Sequence, residues 1–295
     1  MARFTQWIAG ARPRTLPAAL APVAAGTGAA AALHRAQGLR AGLALLVALA
    51  LQVGVNYAND YSDGIRGTDA HRVGPFRLTG SGAAAPAAVR RAAWAGFALA
   101  GMAGCALVAL CGAWWLLGVG ALSVLAAWYY TGGRRPYGYA GLGELAVFLF
   151  FGLVAVLGTT YTQAGRVSGP ALAAAVGVGA LACAILVANN LRDIPTDAAS
   201  GKRTLAVQLG DGRTRRLYFW LLLVPWLVLL PLLPSHPSLA WALLAVPLAW
   251  RPLRAVRARA QGLALLPVLQ DTGRLDLVYG ALLGLALAGL GGVAK

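Results

Sequence analysis

Long apolar segments alternate with short polar ones along the whole chain. A transmembrane helix needs roughly 20 mostly apolar residues. The segments do not show the period-two alternation of membrane β-strands. The pattern therefore predicts an all-α, polytopic membrane protein of about nine transmembrane helices, forming one domain over residues 1–295. The predicted spans lie at about 15–33, 40–58, 92–111, 113–130, 142–162, 170–190, 216–233, 238–250 and 276–294.

The composition supports this class of protein. Only 12% of the residues are charged, against about 25% in soluble domains, and the mean hydropathy is +0.68. The net charge of +16 does not indicate nucleic-acid binding, because the basic residues lie in short segments between apolar runs instead of on one surface of a soluble fold. We expect them to attract anionic lipid headgroups and polyanionic substrates.

The distribution of Lys and Arg predicts an orientation. With the N-terminus inside, the inner segments hold 21 of the 25 basic residues, and the outer ones hold only Arg35, Arg40, Arg166 and Lys295. The positive-inside rule then places the N-terminus in the cytoplasm of a bacterial cell, the helices in its inner (plasma) membrane and the C-terminus outside. Arginines interrupt the first 17 residues, so we expect no cleaved signal peptide. The pattern does not indicate an oligomeric state.

Two motifs rich in Asp and Asn end the second and sixth apolar segments. In the first, Asn56, Asn59, Asp60 and Asp63 share one face of a helix, and Asp69 follows. The second motif repeats this arrangement. Its polar residues are Asn189, Asn190, Asp193 and Asp197.

Five of the nine acidic residues lie in these motifs, which points to a common ligand. A carboxylate at bilayer depth costs about 2.5–3.5 kcal/mol, and clustered carboxylates repel one another unless a cation lies between them. Oxygen donors without His or Cys are typical of Mg²⁺ sites, which commonly include substrate phosphates. The pattern therefore predicts that Mg²⁺ and a diphosphate bind between the motifs, with Asp60, Asp63, Asp193 and Asp197 as the metal ligands. For Asp69, Asp211, Asp271 and Asp276, helix caps or solvated charges are the simpler interpretation.

Basic and aromatic residues near the motifs are candidate substrate ligands. Lys202 and Arg203 follow the second motif, and we expect them, with Arg134 and Arg135, to bind diphosphate oxygens. Glu144 is either a charge at a helix N-terminus or a pocket group. Six tyrosines on the same side could stabilise an allylic cation or belong to an interfacial aromatic belt. They are Tyr57, Tyr61, Tyr129, Tyr130, Tyr137 and Tyr139.

These residues and their surroundings resemble the UbiA superfamily of intramembrane aromatic prenyltransferases. The nearest likeness is to the branch that prenylates 1,4-dihydroxy-2-naphthoate in menaquinone synthesis. It covers almost the whole chain, including KRTLAVQLG from Lys202, and is carried most strongly by NYANDYSDGIRGTD from Asn56 and NNLRDIPTD from Asn189.

The resemblance implies nine helices around a central cavity, two Mg²⁺ ions and a lateral portal for a lipid tail. It assigns Asn56 and Asp60 to the first motif and Asp193 and Asp197 to the second. The family often has a further Asp where this chain has Gly64. The third ligand of the first motif, Asp63 or Asp69, is therefore left open.

The resemblance also implies a reaction. A polyprenyl diphosphate ionises with the help of Mg²⁺, Lys202 and Arg203, and the naphthoate attacks the allylic carbon. The naphthoate carboxyl group leaves as CO₂, which gives demethylmenaquinone and diphosphate. The expected catalytic residues are Asp60, Asp193, Asp197 and Lys202. The expected substrate ligands are Asn56, Asn59, Arg134, Arg135, Tyr139, Asn189, Asn190 and Arg203.

Two alternatives stay open at this point. A related enzyme could use another acceptor, such as 4-hydroxybenzoate, homogentisate, haem or chlorophyllide. A transporter with acidic intramembrane sites is disfavoured, because the acidic residues lie at helix ends on one face and not at mid-bilayer.

Overall fold

The computed structural model describes residues 2–68 and 76–293, and it contains helices but no strand within these ranges. The all-α class predicted from the apolar pattern is therefore confirmed. The helices are α1 (Phe4–Ala11), α2 (Pro17–Ala32), α3 (Gly38–Ile65), α4 (Pro86–Cys111), α5 (Leu116–Tyr129), α6 (Gly143–Ala164), α7 (Gly169–Ala199), α8 (Leu205–Leu227), α9 (Val246–Arg257) and α10 (Leu266–Val293). Short 3-10 turns occupy Pro13–Thr15, Tyr137–Ala140, Leu230–Leu232, Pro237–Ala245 and Gly262–Leu265.

Every predicted apolar segment overlaps a helical segment, but not every helix is long enough to cross a membrane. Six helical stretches in the described part of the chain are long and apolar enough to cross a bilayer, and α1 and α2 form a seventh if their 49° bend is counted within one span. Helix α5 has only 14 residues, fewer than a typical span. The count of nine crossings therefore stays a prediction.

Glycines allow the long helices to approach each other closely. A Cβ atom added to Gly28 of α2 would lie 2.0 Å from the carbonyl oxygen of Gly284 in α10. Gly280 of α10 packs in the same way against Ala21, and Gly54 of α3 packs against α4. Small residues have this role in membrane helix packing, where the backbones supply much of the contact.

The buried residues form two main clusters. The larger joins α2, α7, α8 and α10, and the smaller joins α3, α4 and the Leu78 loop. Helix α6 contains a π-helical stretch at Phe148–Val154, and such stretches are frequent at functional sites. A large cavity lies between the two clusters, with walls from α2 to α7.

Candidate active site

The cavity has a volume of about 840 Å³ and is polar where the two Asp motifs meet it. Elsewhere its walls are apolar side chains of α2 to α6, including Phe150 and Phe151 of the π-helical stretch. The charged and amide residues in its wall are Arg12, Gln52, Asn56, Asn59, Asp63, Arg77, Asn189, Asn190, Asp193, Asp197 and Lys202. The central cavity that the family resemblance implies is thus present.

Lys202 connects the two Asp motifs. Its Nζ atom lies 3.5 Å from Oδ1 of Asp63 and 3.9 Å from Oδ1 of Asp197. The three side chains are at least seven-eighths buried, with exposures of 9%, 4% and 12%. Their charges therefore act with little screening from solvent. An acidic residue of each motif thus lies beside one ammonium group in the same part of the cavity.

Asp193 lines the same cavity and is held by its neighbours on α7. The Nε and Nη2 atoms of Arg192 donate hydrogen bonds of 2.7 and 2.8 Å to the two carboxylate oxygens. Arg192 also donates a 2.8 Å bond to Oδ1 of Asn189. A bidentate guanidinium fixes the direction of a carboxylate as well as its charge. Asp193 is therefore a preoriented acidic group.

Asp60 departs from its predicted place. It is fully buried, but it is not among the residues that line the cavity. Its Oδ2 and Oδ1 atoms accept hydrogen bonds from the backbone amides of Leu78 and Thr79, at 2.7 and 2.8 Å. The Asp of α3 that faces the cavity is Asp63, one turn later. The geometry thus gives Asp60 a role in holding the loop after α3.

This geometry predicts the effect of replacing Asp60 by Asn. The amide NH₂ group would face a backbone N–H, so one hydrogen bond to a charged acceptor would be lost, at a cost of about 1.5–3 kcal/mol. We expect a lower melting temperature of the purified protein, measured by thermal unfolding in detergent. An unchanged melting temperature together with a complete loss of activity would instead favour the metal-ligand role predicted from the sequence.

The predicted Asn residues of the motifs all line the cavity. The Nδ2 atom of Asn56 donates hydrogen bonds of 2.9 Å to the carbonyl of Ala11 and to Oγ1 of Thr15, which ties α3 to the end of α1 and to the 3-10 turn that follows it. Oδ1 of Asn59 accepts a 2.8 Å bond from Thr131. These two amides therefore shape the cavity wall through their contacts with neighbouring segments.

Glu144 and Asn190 form a buried pair beside the cavity. Nδ2 of Asn190 donates a 3.0 Å hydrogen bond to Oε1 of Glu144, and only Asn190 lines the cavity. Glu144 is also the second residue of α6, where a negative charge is favourable at a helix N-terminus. Of the two interpretations left open by the sequence, the charge at a helix N-terminus fits the position of Glu144, which contacts the cavity wall only through Asn190.

Three predicted substrate ligands do not line the cavity. Arg134, Arg135 and Arg203 are exposed and are absent from its wall. The backbone N–H of Arg203 donates to the carbonyl of Tyr139, whereas the side chain of Lys202 lies beside Asp63 and Asp197. The prediction that these arginines bind diphosphate disagrees with this geometry. Asp69, the other candidate third ligand, lies outside the described residues.

Tyr139 is the tyrosine most closely integrated into the site. Its hydroxyl donates a 2.5 Å hydrogen bond to Oδ1 of Asp63, and Nζ of Lys202 lies 4.6 Å from its ring centroid. Burial, reinforced by the charge of Asp63, raises the pKa of the Tyr139 hydroxyl above its ordinary value. The hydroxyl therefore stays protonated at neutral pH and serves as a donor instead of a base.

The other predicted tyrosines divide into two groups. Tyr130 and Tyr137 line the cavity with Tyr139. Tyr57 donates to the carbonyl of Trp7, and Tyr61 stacks on Trp128. Tyr129 is 50% exposed, as expected for a residue of an interfacial belt.

The sequence analysis missed three arginines of the site. Arg77 lines the cavity, and its Nη2 atom lies 3.5 Å from Oδ2 of Asp63. Arg12 also lines the cavity. Arg192 orients Asp193, as described above. Arg77 directly precedes the two residues whose amides bind Asp60, but no local pattern marks that loop as a partner of α3.

The donor groups fit Mg²⁺ bound together with a diphosphate. No group of three or more His, Cys, Asp or Glu residues that could hold a metal occurs in the described ranges. Mg²⁺ commonly takes only one or two carboxylates and completes its coordination with substrate phosphates and water. Asp63, Asp193 and Asp197 supply hard carboxylate oxygens to one cavity, and Lys202 is placed beside two of them.

The sequence profile of the UbiA prenyltransferase family matches residues 19–263, and the chain belongs to this family. It is 59% identical over 288 residues to a 1,4-dihydroxy-2-naphthoate octaprenyltransferase of Mycobacterium tuberculosis, covering 98% of each chain. It is 39% identical over 292 residues to the Escherichia coli protein of that name, covering 96% of this chain and 93% of that one. The family resemblance inferred from the motifs is thus confirmed.

A solved structure supports the fold independently. The structure of a UbiA homolog from Archaeoglobus fulgidus bound to GPP and Mg²⁺ superposes with a TM-score of 0.71 at 16% identity. The match covers 96% of this chain and 99% of the other. At 16% identity, this comparison supports the arrangement of the helices and nothing about the chemistry.

Proposed function

We propose that this protein transfers a polyprenyl group from polyprenyl diphosphate to 1,4-dihydroxy-2-naphthoate, with release of diphosphate and CO₂, to give demethylmenaquinone. The observation that carries the proposal is the contact of Lys202 with Asp63 and Asp197 at the polar part of a large apolar cavity. The relatives named for this activity match nearly the full chain.

The polar part of the cavity suits a diphosphate and its metal. Lys202 and Arg77 can donate to phosphate oxygens, because both line the cavity and both already contact carboxylates there. Asp63, Asp193 and Asp197 would hold Mg²⁺, which when bound neutralises the charge of the leaving diphosphate. Arg192 keeps Asp193 oriented in advance, so little reorganisation is needed when the substrate binds.

The aromatic and apolar walls suit the rest of the donor substrate. Tyr130, Tyr137 and Tyr139 can place π faces near an allylic cation, and the apolar walls exclude the water that would trap it. The new C–C bond forms at the ring carbon that carries the carboxyl group. The electron pair of the breaking C–CO₂ bond then restores aromaticity, so that carbon gives up CO₂ instead of a proton.

Identifying the reaction product by mass distinguishes this function from its alternatives. Membranes containing the protein are incubated with a labelled polyprenyl diphosphate and, separately, with 1,4-dihydroxy-2-naphthoate or 4-hydroxybenzoate. We expect a prenylated naphthoquinol that has lost the mass of CO₂, formed only with the naphthoate. A product formed only with 4-hydroxybenzoate would refute the proposed acceptor, and substrate flux without any product would refute prenyl transfer.

The cavity also predicts an effect on tail length. Gly120 of α5 lines the cavity, and a Cβ atom added there meets no other atom within 4 Å. In Gly120→Phe the ring would fill space for the prenyl tail. Displacing as few as two CH₂ groups, at about 0.8 kcal/mol each, lowers kcat/KM for long polyprenyl diphosphates by about tenfold. We expect geranyl diphosphate to be affected much less.

Gly118 provides the matched control for this substitution. It lies on the same helix, also has open space around its Cβ position and does not line the cavity. Gly118→Phe should therefore leave the preference among prenyl diphosphates unchanged. Equal effects of the two substitutions on long and short donors would contradict the placement of the tail near Gly120.

We also propose that the end of the bundle carrying the Asp motifs faces the cytoplasm of a bacterium. The support is the uneven distribution of Lys and Arg. Labelling of an engineered Thr68→Cys and Arg166→Cys by a membrane-impermeant thiol reagent, in a background without the native cysteines, tests this. We expect labelling of intact spheroplasts only at position 166, and the reverse pattern would invert the topology.

A further inference from the structure

A second, smaller cavity of about 290 Å³ lies between α8 and α9. It shares no lining residue with the prenyl cavity. Helix α8 begins at Leu205, shortly after Lys202, so its first turns lie at the end of the bundle that carries the Asp motifs. We call this cavity the basic groove, and the residues relevant here are Asp211, Arg215, Arg216, Phe219, Arg257 and Arg259.

One arginine of the basic groove is structural. Arg215 forms two 2.8 Å hydrogen bonds with the carboxylate of Asp211. It also donates 2.9 Å bonds to the carbonyls of Val256 and Ala260. These contacts tie α8 to the end of α9 and use both oxygens of the one acidic residue in the wall. The groove is therefore a fixed cleft instead of a gap between mobile side chains.

The other three arginines leave a surplus of positive charge. Arg216, Arg257 and Arg259 are exposed and form no ion pair within the described ranges. The guanidinium of Arg257 lies 5.3 Å from the ring centroid of Phe219, which holds it at the wall. Orientation in the membrane requires basic residues on one side, but it does not require three of them to converge on one cleft.

The surroundings of the groove are apolar and aromatic. Leu253 and Val256 belong to its wall. Nearby on the same two helices, Trp220 is 56% exposed and Trp250 is 63% exposed. Exposed Trp residues are typical of the level of the lipid headgroups. A cationic cleft beside such a surface matches a molecule with an anionic head and an apolar body.

We propose that the basic groove binds the phosphodiester headgroup of an anionic phospholipid, such as phosphatidylglycerol, in the leaflet next to the Asp motifs. Arg216, Arg257 and Arg259 bind the headgroup, and the acyl chains lie along the exposed apolar surface of α8 and α9. Basic pockets between helices bind anionic lipids by the same physics. The site is separate from the prenyl cavity, so this inference does not depend on the proposed reaction.

The experiment measures lipid binding by the full-length protein in neutral detergent, using native mass spectrometry and titration with phosphatidylglycerol or phosphatidylcholine. We expect a phosphatidylglycerol site that is saturable and not matched by phosphatidylcholine. Arg216→Ala combined with Arg257→Ala should weaken phosphatidylglycerol binding at least about tenfold, since each basic residue near the headgroups contributes about fivefold in affinity. Combined replacement of the same two arginines by Lys should keep most of the binding.

Arg251→Ala combined with Arg254→Ala is the matched control, because these two arginines of α9 are exposed and line neither cavity. Prenyl transfer in lipid-free detergent should be unchanged in all variants, which also shows that they fold. An equal loss of binding in the control pair would reduce the effect to net charge and overturn the proposal. So would full binding by the Arg216 and Arg257 variant, or competition by inorganic phosphate at concentrations comparable to the lipid.

Discussion

Replacing Asp197 by Asn is expected to abolish prenyl transfer, with a decrease in kcat/KM of at least about a thousandfold. The substitution keeps the shape of the side chain but removes a charge that lies 3.9 Å from Lys202 in the wall of the cavity. A neutral amide cannot offset the charge of a divalent cation, so the diphosphate would leave without adequate neutralisation. The measurement is product formation by purified protein at saturating Mg²⁺.

Asp271→Asn is the control for this prediction. Asp271 lies on α10, pairs with Arg274 at 3.2 Å and does not line the cavity. The Asp271→Asn variant should keep nearly full activity. Both variants should insert into the membrane and elute as the unmodified protein does. Near-normal turnover by the Asp197 variant with metal present would remove the basis for assigning the second motif to the diphosphate.

Replacing Lys202 by Met is expected to lower kcat/KM by about a hundredfold to a thousandfold. The ammonium group lies within ion-pair distance of an Asp from each motif, at 3.5 Å from Asp63 and 3.9 Å from Asp197. Met preserves most of the apolar stem but leaves Asp63 and Asp197 without this neutralising group, and it removes a donor to the diphosphate. Assays at several diphosphate concentrations separate weaker binding from slower turnover.

The neighbouring residue offers a sharp comparison. Arg203→Met removes a cation one residue away, but that side chain is exposed and outside the cavity wall. We expect at most a few-fold change, although the sequence alone assigned both residues to the diphosphate. A loss for Arg203→Met as large as for Lys202→Met would show that the exposed arginine reaches the substrate in the working enzyme.

The sequence predicted the helical class and the regions of the site well, because both depend on local patterns. Apolar runs mark the helices, and clustered carboxylates in such a chain require a partner cation. Lys202 was also predictable, since it lies five residues after Asp197 of the second motif. Each of these inferences needs only residues that are close together in the chain.

The choice between Asp60 and Asp63 could not be made in that way. Side chains three residues apart on an α-helix point in directions that differ by about 60°. Asp60 and Asp63 therefore both fit one broad polar face. What separates them is the loop at Leu78 and Thr79, whose amides bind Asp60. A contact across 18 positions leaves no periodic signal. Arg77 was missed for the same reason, because its contact with Asp63 also joins that loop to α3 across a long stretch of sequence.

The π-helical stretch of α6 has a consequence for the shape of the prenyl cavity. Residues of α6 line the cavity at intervals of four from Ala146 to Thr162. An ideal α-helix repeats every 3.6 residues and would turn this row away by about 40° at each step. The wider winding at Phe148–Val154 offsets part of that rotation. At constant length, regular α-helical winding would turn Gly158 by about 120° from the direction of Ala146, so the π-helical stretch is what lets both ends of this helix contribute side chains to the same cavity wall.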